Sequence, residues 1–355
     1  MKSPELDKER RVDHSTRAPL ISVLMPCYNA QETIDEAIKS IVSQTFALWE
    51  LVIVDDGSTD GSCDRVTAWA ARDARIRLIR QDHAGIVTAL NTGWRACLSP
   101  LIARMDADDR SHPERFAKQA ARMDADPDLA VVSCMVEAFP VDQVREGFRL
   151  YLEWLNGLVS ADDIRREMFV EAPVAHPSTI IRNSWLDRLG GYEDHGWPED
   201  YDLWLRLHLA GARFVKVPQA LFSWREHPVR LTRTDSRYSV ENFLRAKSHY
   251  LVRGPLRDRR SVIVWGAGQM GRRLSKHLVR EGAPLVGFID VDPKKIGRQQ
   301  RGLPVIAPAG LSRLWKSVDR PILLAAVGAR GARKLIRQQL TGMGLREGQD
   351  WLAVA

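Results

Sequence analysis

The sequence predicts two α/β units in series, a larger one built on an open parallel sheet and a smaller one after it. Three observations carry this. Apolar runs of strand length, at 20–25 and 49–54 among others, alternate with segments of helical periodicity, and such alternation means parallel strands joined by right-handed crossovers. Each run ends in a polar or acidic loop, which is where open α/β sheets bind ligands. After a basic stretch with Gly254 and Pro255 at 253–260, the alternation restarts with a glycine-rich turn. The chain of 355 residues is long enough for two such units.

Residues 1–18 are polar and charged, lack the apolar core of a secretory signal, and are expected to form a loosely attached tail. Residues 20–25 read as a buried parallel strand stopped by Pro26, with Cys27-Tyr28-Asn29-Ala30 as the loop at its end. The span 32–44 is helical, with Ile34, Ala37, Ile38, Ile41 and Val42 on one face. A strand at 49–54 ends in Asp55-Asp56-Gly57-Ser58-Thr59-Asp60; a helix over 63–72 and a strand over 76–79 follow. The short apolar segment Leu101-Ile102-Ala103 leads into Arg104-Met105-Asp106-Ala107-Asp108-Asp109. Carboxylates this crowded repel one another unless a cation sits among them. A hard divalent ion, Mg²⁺ or Mn²⁺, completed by phosphate oxygens of a ligand, suits the set. In isolation the same pattern is a common solvated turn.

A further strand covers 128–134. Tyr151, Trp154, Leu155 and Leu158 recur at helical spacing and read as core in preference to a sugar platform. Glu199 and Asp200 open a helix whose Leu203, Trp204 and Leu207 form one stripe. Acids at a helix start are favoured electrostatically, so capping and chemistry are both open to them. A helix over 239–252 closes the unit.

The motifs in this order resemble the family 2 glycosyltransferases with the GT-A fold. Those that carry the resemblance are Ile21-Ser22-Val23-Leu24-Met25-Pro26-Cys27-Tyr28-Asn29-Ala30, Ser43-Gln44-Thr45-Phe46, Val54-Asp55-Asp56-Gly57-Ser58-Thr59-Asp60, Ala89-Leu90-Asn91-Thr92-Gly93 and Met105-Asp106-Ala107-Asp108-Asp109. The segments Leu189-Gly190-Gly191-Tyr192, Trp197-Pro198-Glu199-Asp200 and Phe222-Ser223-Trp224-Arg225-Glu226-His227 continue it, so that it spans roughly 20–250. The resemblance implies a nucleotide-diphosphate sugar donor, with UDP first among the candidates. Pro26, Tyr28, Asn29, Asp55, Asp56 and Asn91 would lie around the nucleotide. Asp106 would face the ribose and, with Asp108, the Mn²⁺ or Mg²⁺. Asp109 is either a further acid of that site or a turn cap. Asp200 would be the general base, with Glu199 beside it. His227 would ligate the metal or touch the diphosphate, Arg225 would pair with phosphate, and the basic segment 230–237 would close over it. The acceptor would be a glycan or lipid-linked hydroxyl in a bacterial surface polysaccharide or glycolipid.

In the smaller unit, residues 261–265 read as a strand, Gly266-Ala267-Gly268-Gln269-Met270-Gly271 as a turn into a helix over 272–281, and 285–290 as the next strand. Strand, glycines, helix and the acid Asp290 make the context of a Rossmann-like dinucleotide fingerprint. Gly266, Gly268 and Gly271 would admit a diphosphate, and Asp290 a ribose. One unit at 261–355, without a substrate domain, is small for a dehydrogenase. Gly287-Phe288-Ile289-Asp290 with Pro293, Gly297 and Gly302-Leu303-Pro304-Val305-Ile306 resembles instead the nucleotide-sugar-binding domain of bacterial sugar O-acyltransferases, without their hexapeptide repeats. The resulting organisation is a tail at 1–18, a GT-A domain at 19–252, a linker at 253–260 and a Rossmann-like accessory domain at 261–355.

The formal net charge of +7 suits anionic partners, namely nucleotide diphosphates, anionic glycans or a membrane surface. No zinc-ligand spacing and no basic stripe interleaved with aromatics argues for nucleic acid. Cys27, Cys63, Cys97 and Cys134 are scattered, which fits a reducing compartment. No apolar run reaches membrane-spanning length. The expected location is cytoplasmic, with peripheral contact at the inner face of the membrane open to a basic surface. The rival readings are an NAD(P)-dependent oxidoreductase working through the smaller unit and a non-catalytic nucleotide-sugar scaffold. The pattern leaves oligomeric state open.

Overall fold

The structure, a computed structural model, describes residues 18–228 and 230–355. The expected tail lies, but for Ala18, outside them. The first sheet contains β1 (Ile21–Cys27), β2 (Trp49–Asp56), β3 (Ile76–Gln81), β4 (Leu101–Arg104), β5 (Arg110–Ser111), β6 (Leu129–Phe139), β7 (Ile180–Arg182) and β8 (Arg213–Arg225), in the order β3-β2-β1-β4-β7-β6-β8-β5. β1 to β4 are parallel, β7 runs antiparallel to β4 and β6, and β6 pairs parallel with β8. Its helices are α1 (Ile34–Val42), α2 (Ser62–Ala70), α3 (Ile86–Ala96), α4 (Arg115–Ala125), α5 (Glu146–Gly157), α6 (Ala161–Glu167), α7 (Asn183–Leu189), α8 (Glu199–Leu209), α9 (Leu231–Thr234) and α10 (Val240–Arg253).

β1 and β2 are buried along their whole length. Val23 and Met25 pack into one core with Ile34 and Ile38 of α1, while Leu24 and Val52 face another with Leu90 and Trp94 of α3. Cover on both faces is why these strands read as unbroken apolar runs. Gly93 lets α3 lie on the sheet, since a Cβ there would collide with Leu24 and Val54.

Two expectations change. Pro26 does not stop β1; it pairs in register with Val54. Pairing with β4 ends at Leu24, so the missing N–H of Pro26 falls beyond that ladder. The long strand β8 was not legible in the sequence. Pro218 and the exposed Gln219 and Ala220 interrupt its apolar pattern, and the register shifts there, from Cys134 opposite Val217 to Met135 opposite Ala220.

The second sheet holds β9 (Ser261–Trp265), β10 (Leu285–Ile289), β11 (Gln299–Gln300), β12 (Leu303–Ile306), β13 (Pro321–Ala325) and β14 (Trp351–Ala353), ordered β11-β12-β10-β9-β13-β14. It carries α11 (Gln269–Arg280), α12 (Leu311–Ser317) and α13 (Ala332–Gly342). All its pairings are parallel except β11 with β12. The expected linker is packed: Leu256 is buried, and its N–H donates to Leu251 O at 2.9 Å. One core runs from Leu244 and Leu251 of α10 to Leu274 and Leu278 of α11. Among the described residues no helix is long and apolar enough to cross a membrane.

Candidate active site

The loops after β1 and β2 are built as one piece. Asn29 N donates to Ser58 Oγ at 2.9 Å, and Asn29 Oδ1 accepts from Thr59 N at 2.8 Å. Ala30 N donates to Ser62 Oγ at 2.8 Å, and Gly61 N to Gln31 Oε1 at 2.9 Å. Asn29 holds a φ of 49°, a conformation that Asn tolerates better than most side chains. Tyr28 is half exposed and stacks on His83, with ring centroids 4.2 Å apart. His83 was missed in the sequence, because nothing in Asp82-His83-Ala84 marks a loop histidine as a ring partner.

Asp55 and Asp56, expected to act together, part company. The Asp56 carboxylate accepts from Gln81 Nε2 at 2.6 Å, Ala84 N at 3.0 Å and Gly85 N at 2.9 Å, while His83 Nδ1 bonds the Asp56 carbonyl at 3.0 Å. Both of its oxygens are engaged, so it builds the turn after β3. Asp55 is buried, takes one bond from Ser58 N at 3.3 Å, and leaves Oδ1 without a partner among the described residues. Of the two, Asp55 retains a free acceptor.

Asn91 is likewise redirected. Its Nδ2 donates to Tyr192 O at 2.8 Å and its Oδ1 accepts from Tyr192 N at 2.9 Å, which ties α3 to the turn after α7. That turn needs Gly191, with a φ of 84°, since a Cβ would stand 2.5 Å from Asn91 Oδ1. With both ends of its amide committed, Asn91 is a positioning residue. Asn91→Ala is expected to cost about 1–3 kcal/mol of stability, measured by urea unfolding, with nucleotide affinity nearly unchanged.

The acidic turn follows β4. Asp106, Asp108 and Asp109 each offer an oxygen within 4.8 Å of the others. Arg104, given no role from sequence, is buried and donates from Nη2 to Asp106 Oδ1 at 2.5 Å and from Nη1 to Met105 O. Asp108 Oδ2 meets His227 Nε2 at 2.9 Å. Asp109 is buried; Oδ1 accepts from Arg225 N at 2.7 Å, and Oδ2 has no partner among the described residues. Burial, then the charges of Asp108 and Asp106, push the Asp109 carboxyl well above the usual range. Burial also raises Asp106, against the pull of Arg104.

Arg225, expected on phosphate, braces this turn. Its Nε donates to Asp108 O at 2.5 Å, its Nη2 bonds Glu36, and its guanidinium lies 4.4 Å over the Phe139 ring. A second arginine, Arg230, stacks 4.5 Å over Trp224 and pairs with buried Glu226 at 3.2 Å. Its charge is felt by both Asp106 and Asp109.

At the start of α8, Glu199 is buried and accepts from Tyr238 Oη at 2.8 and 3.0 Å. Asp200 is half-buried; Oδ1 accepts from Tyr201 N at 2.7 Å, and its other oxygen has no protein donor among the described residues. Burial, then the charge of Glu199, pushes Asp200 up to about 8. The helix is fixed by Asp202, which takes Trp197 Nε1 at 2.8 Å, Tyr250 Oη at 2.6 Å and Arg206 Nε at 2.7 Å.

In the second unit, the glycines divide their work. Gly266, with a φ of 118°, lies against Ala326 O, where a Cβ would sit at 2.7 Å. A Cβ on Gly271 would collide with Gly266 O, whereas one on Gly268 would meet only Lys295 Nζ, at 3.8 Å. Asp290, expected on a ribose, closes the turn: it accepts from Ala267 N at 2.7 Å, Asp292 N at 2.9 Å and Lys295 Nζ at 3.3 Å.

A sheet of this order, with loops and acids gathered at its strand ends, defines a GT-A sugar-transferring enzyme. Residues 22–190 match the family described as Glycosyl transferase family 2, and the chain belongs to that family and is a glycosyltransferase. It is 32% identical to EpsE of Bacillus subtilis (strain 168) over 229 residues, 63% of this chain and 79% of that protein. It is 31% identical to the amylovoran biosynthesis glycosyltransferase AmsE of Erwinia amylovora over 209 residues, 58% of this chain and 76% of that one. Among solved structures, S. aureus TarS 1–349 in complex with UDP-GlcNAc aligns with a TM-score of 0.54 at 17% identity, over 73% of this chain and 72% of that one.

Proposed function

We propose that the chain is a metal-assisted, inverting glycosyltransferase that moves a sugar from a UDP-sugar to a hydroxyl acceptor in bacterial surface polysaccharide or glycolipid assembly. The observation that supports this is the acidic turn after β4, where Asp106, Asp108 and Asp109 each offer an oxygen within 4.8 Å of the others and the buried cation Arg104 is bonded to Asp106. The loops after β1 and β2 receive the nucleotide: Tyr28 with His83 offers a flat ring surface, and Asp55 Oδ1 a buried acceptor for the uracil N–H. Asp106, Asp108 and Asp109, all oxygen donors with one buried oxygen unpartnered, fit a hard divalent ion, with His227 at its edge. Held there, Mn²⁺ or Mg²⁺ would offset the charge gained by the departing diphosphate.

Asp200 supplies the base. The acceptor oxygen attacks the anomeric carbon from the face opposite the diphosphate; the carbon–oxygen bond to UDP breaks as the new glycosidic bond forms. Asp200 takes the hydroxyl proton, and no covalent enzyme intermediate is needed. Because the charge of Glu199 helps hold Asp200 high, Glu199→Gln is expected to move the acid limb of kcat/KM to lower pH. A pH profile checks this; an unmoved limb would separate the pair.

The deciding experiment is a thermal-shift panel of UDP, GDP, dTDP, CDP and NAD(H), each with and without Mn²⁺, on wild type and Asp108→Ala. A ligand at about 100 times its Kd adds roughly 2.7 kcal/mol. Mn²⁺-dependent stabilisation by UDP that Asp108→Ala abolishes supports the reading. Stabilisation by NAD(H) alone, indifferent to metal and to Asp108, sinks it in favour of an oxidoreductase. Against that rival stands Asp290, whose carboxylate is already engaged by three donors. The second unit is read as an accessory ligand-binding domain, as its resemblance to the nucleotide-sugar-binding domain of sugar O-acyltransferases implies.

A further inference from the structure

A cavity of 710 Å³ opens in the second unit between the start of α11 and the face of α13. That volume falls within the range of cofactor-sized sites, about 300–1,000 Å³. Its chemistry is divided. Met270, Val327, Leu335 and Ile336 make an apolar wall, while the polar side holds Arg273 and Lys295, the latter paired with Asp290 at 3.3 Å and Asp292 at 3.5 Å. Arg273 has no ion pair or hydrogen bond among the described residues. The backbone of Gly268 faces the cavity with no side chain in the way. An apolar wall beside the unpaired Arg273 and a glycine backbone matches a flat base joined to phosphate.

The helix that walls this cavity also grips the transferase unit. Arg333 and Arg337 of α13 both bond Glu167, the last residue of α6, the Arg337 contact at 3.1 Å. Glu167 is buried and also accepts from Trp154 Nε1 at 3.3 Å. The next residues meet the catalytic helix: Met168 O accepts from Tyr201 Oη at 2.9 Å, one residue from Asp200. Lys247 Nζ then bridges Val170 O at 3.0 Å and Val354 O at 2.8 Å, binding the same segment to the end of the chain.

We propose that this cavity binds a phosphorylated nucleotide as an effector of sugar transfer, and that α13 passes its occupancy to α8 through Arg333 and Arg337 on Glu167. The binding half stands without the transferase reading; the effector half rests on it. A ligand that prefers one setting of α13 biases the segment that α13 holds, and coupling of this kind is reciprocal between the two sites.

The test uses the full chain. AMP, ADP, UMP, UDP and NAD⁺ are titrated calorimetrically into Asp108→Ala, which isolates the second cavity, and into Asp108→Ala with Gly268→Leu, which fills it. Mn²⁺-dependent UDP binding by Gly268→Leu alone serves as the check on its folding. One nucleotide should bind Asp108→Ala and lose at least about tenfold in affinity with Gly268→Leu, equal to 1.4 kcal/mol. If none of the five binds, or the affinity is unchanged by Gly268→Leu, the site is refuted. That nucleotide should then change wild-type hydrolysis of UDP-N-acetylglucosamine or UDP-glucose at least about threefold, and leave Glu167→Gln unresponsive though still bound. Binding without a rate change, or a response that survives in Glu167→Gln, overturns the effector role. Absence of any donor hydrolysis by wild type, with nucleotide binding intact, would count against the transferase reading and not against the cavity.

Discussion

Asp200→Asn is expected to lower kcat/KM for transfer by about 10²–10⁴-fold, the range contributed by a positioned general base. Donor binding should persist, because among the described residues Asp200 bonds only Tyr201 N and none of the acids of the β4 turn. Single-turnover transfer and UDP binding, measured on the same variant, separate the two. The wild-type profile has a definite sign. A base raised to about 8 is mostly protonated at neutral pH, so kcat/KM should climb with pH through that value and flatten above it. Stability runs the other way. The folded protein keeps a proton on Asp200 that the unfolded chain releases near 3.8, so the native state loses stability between 3.8 and about 8 as pH rises. Asn removes that loss, and the variant should melt higher than wild type, by a margin that widens across the same window. Loss of activity together with a gain in melting temperature is the signature of a strained functional acid; an acid that only served the helix start through its charge would lose stability instead.

The parallel half of the first sheet was legible because burial on both faces writes itself as unbroken apolar runs, in β1 and β2 above all. The far half was not. β8 is interrupted by Pro218 and a register shift, and β7 is only three residues long. At the site, residue types at strand ends were legible, while the division of labour among them was not. Asp55 and Asp56 are adjacent and identical in sequence, yet the carboxylate of Asp56 takes three donors and that of Asp55 keeps an oxygen free. Arg225 and Arg230 are both arginines near the same turn, and which of them braces it depends on Glu36 and Glu226, far apart in the chain. Asn91, expected beside the nucleotide, bonds Tyr192, a hundred residues on. Each of these assignments depends on pairing at long range, which local pattern does not encode.

The second large effect is expected at Asp108. Asp108→Ala should reduce transfer by about 10³-fold or more, and added Mn²⁺ should not restore it. Stripping wild type with a chelator should reproduce most of the loss, and Mn²⁺ should restore that. The three acids should not behave alike. Asp106 is braced by Arg104, and Asp109 by Arg225 N, whereas Asp108 meets only His227 at its carboxylate. Asp108 is therefore the member whose removal disturbs the turn least, and the cleanest probe of its charge. Asp109 is held well above its usual range first by burial and next by Asp108, so removing Asp108 relieves repulsion in the metal-free protein. The variant should unfold at a temperature equal to or above that of metal-free wild type near neutral pH, and lose the stabilisation that Mn²⁺ with UDP gives wild type. Calorimetric melts with and without Mn²⁺ and UDP check both halves. A variant that melts lower without metal, and still gains from Mn²⁺ with UDP, would make Asp108 a structural acid and move the ion elsewhere.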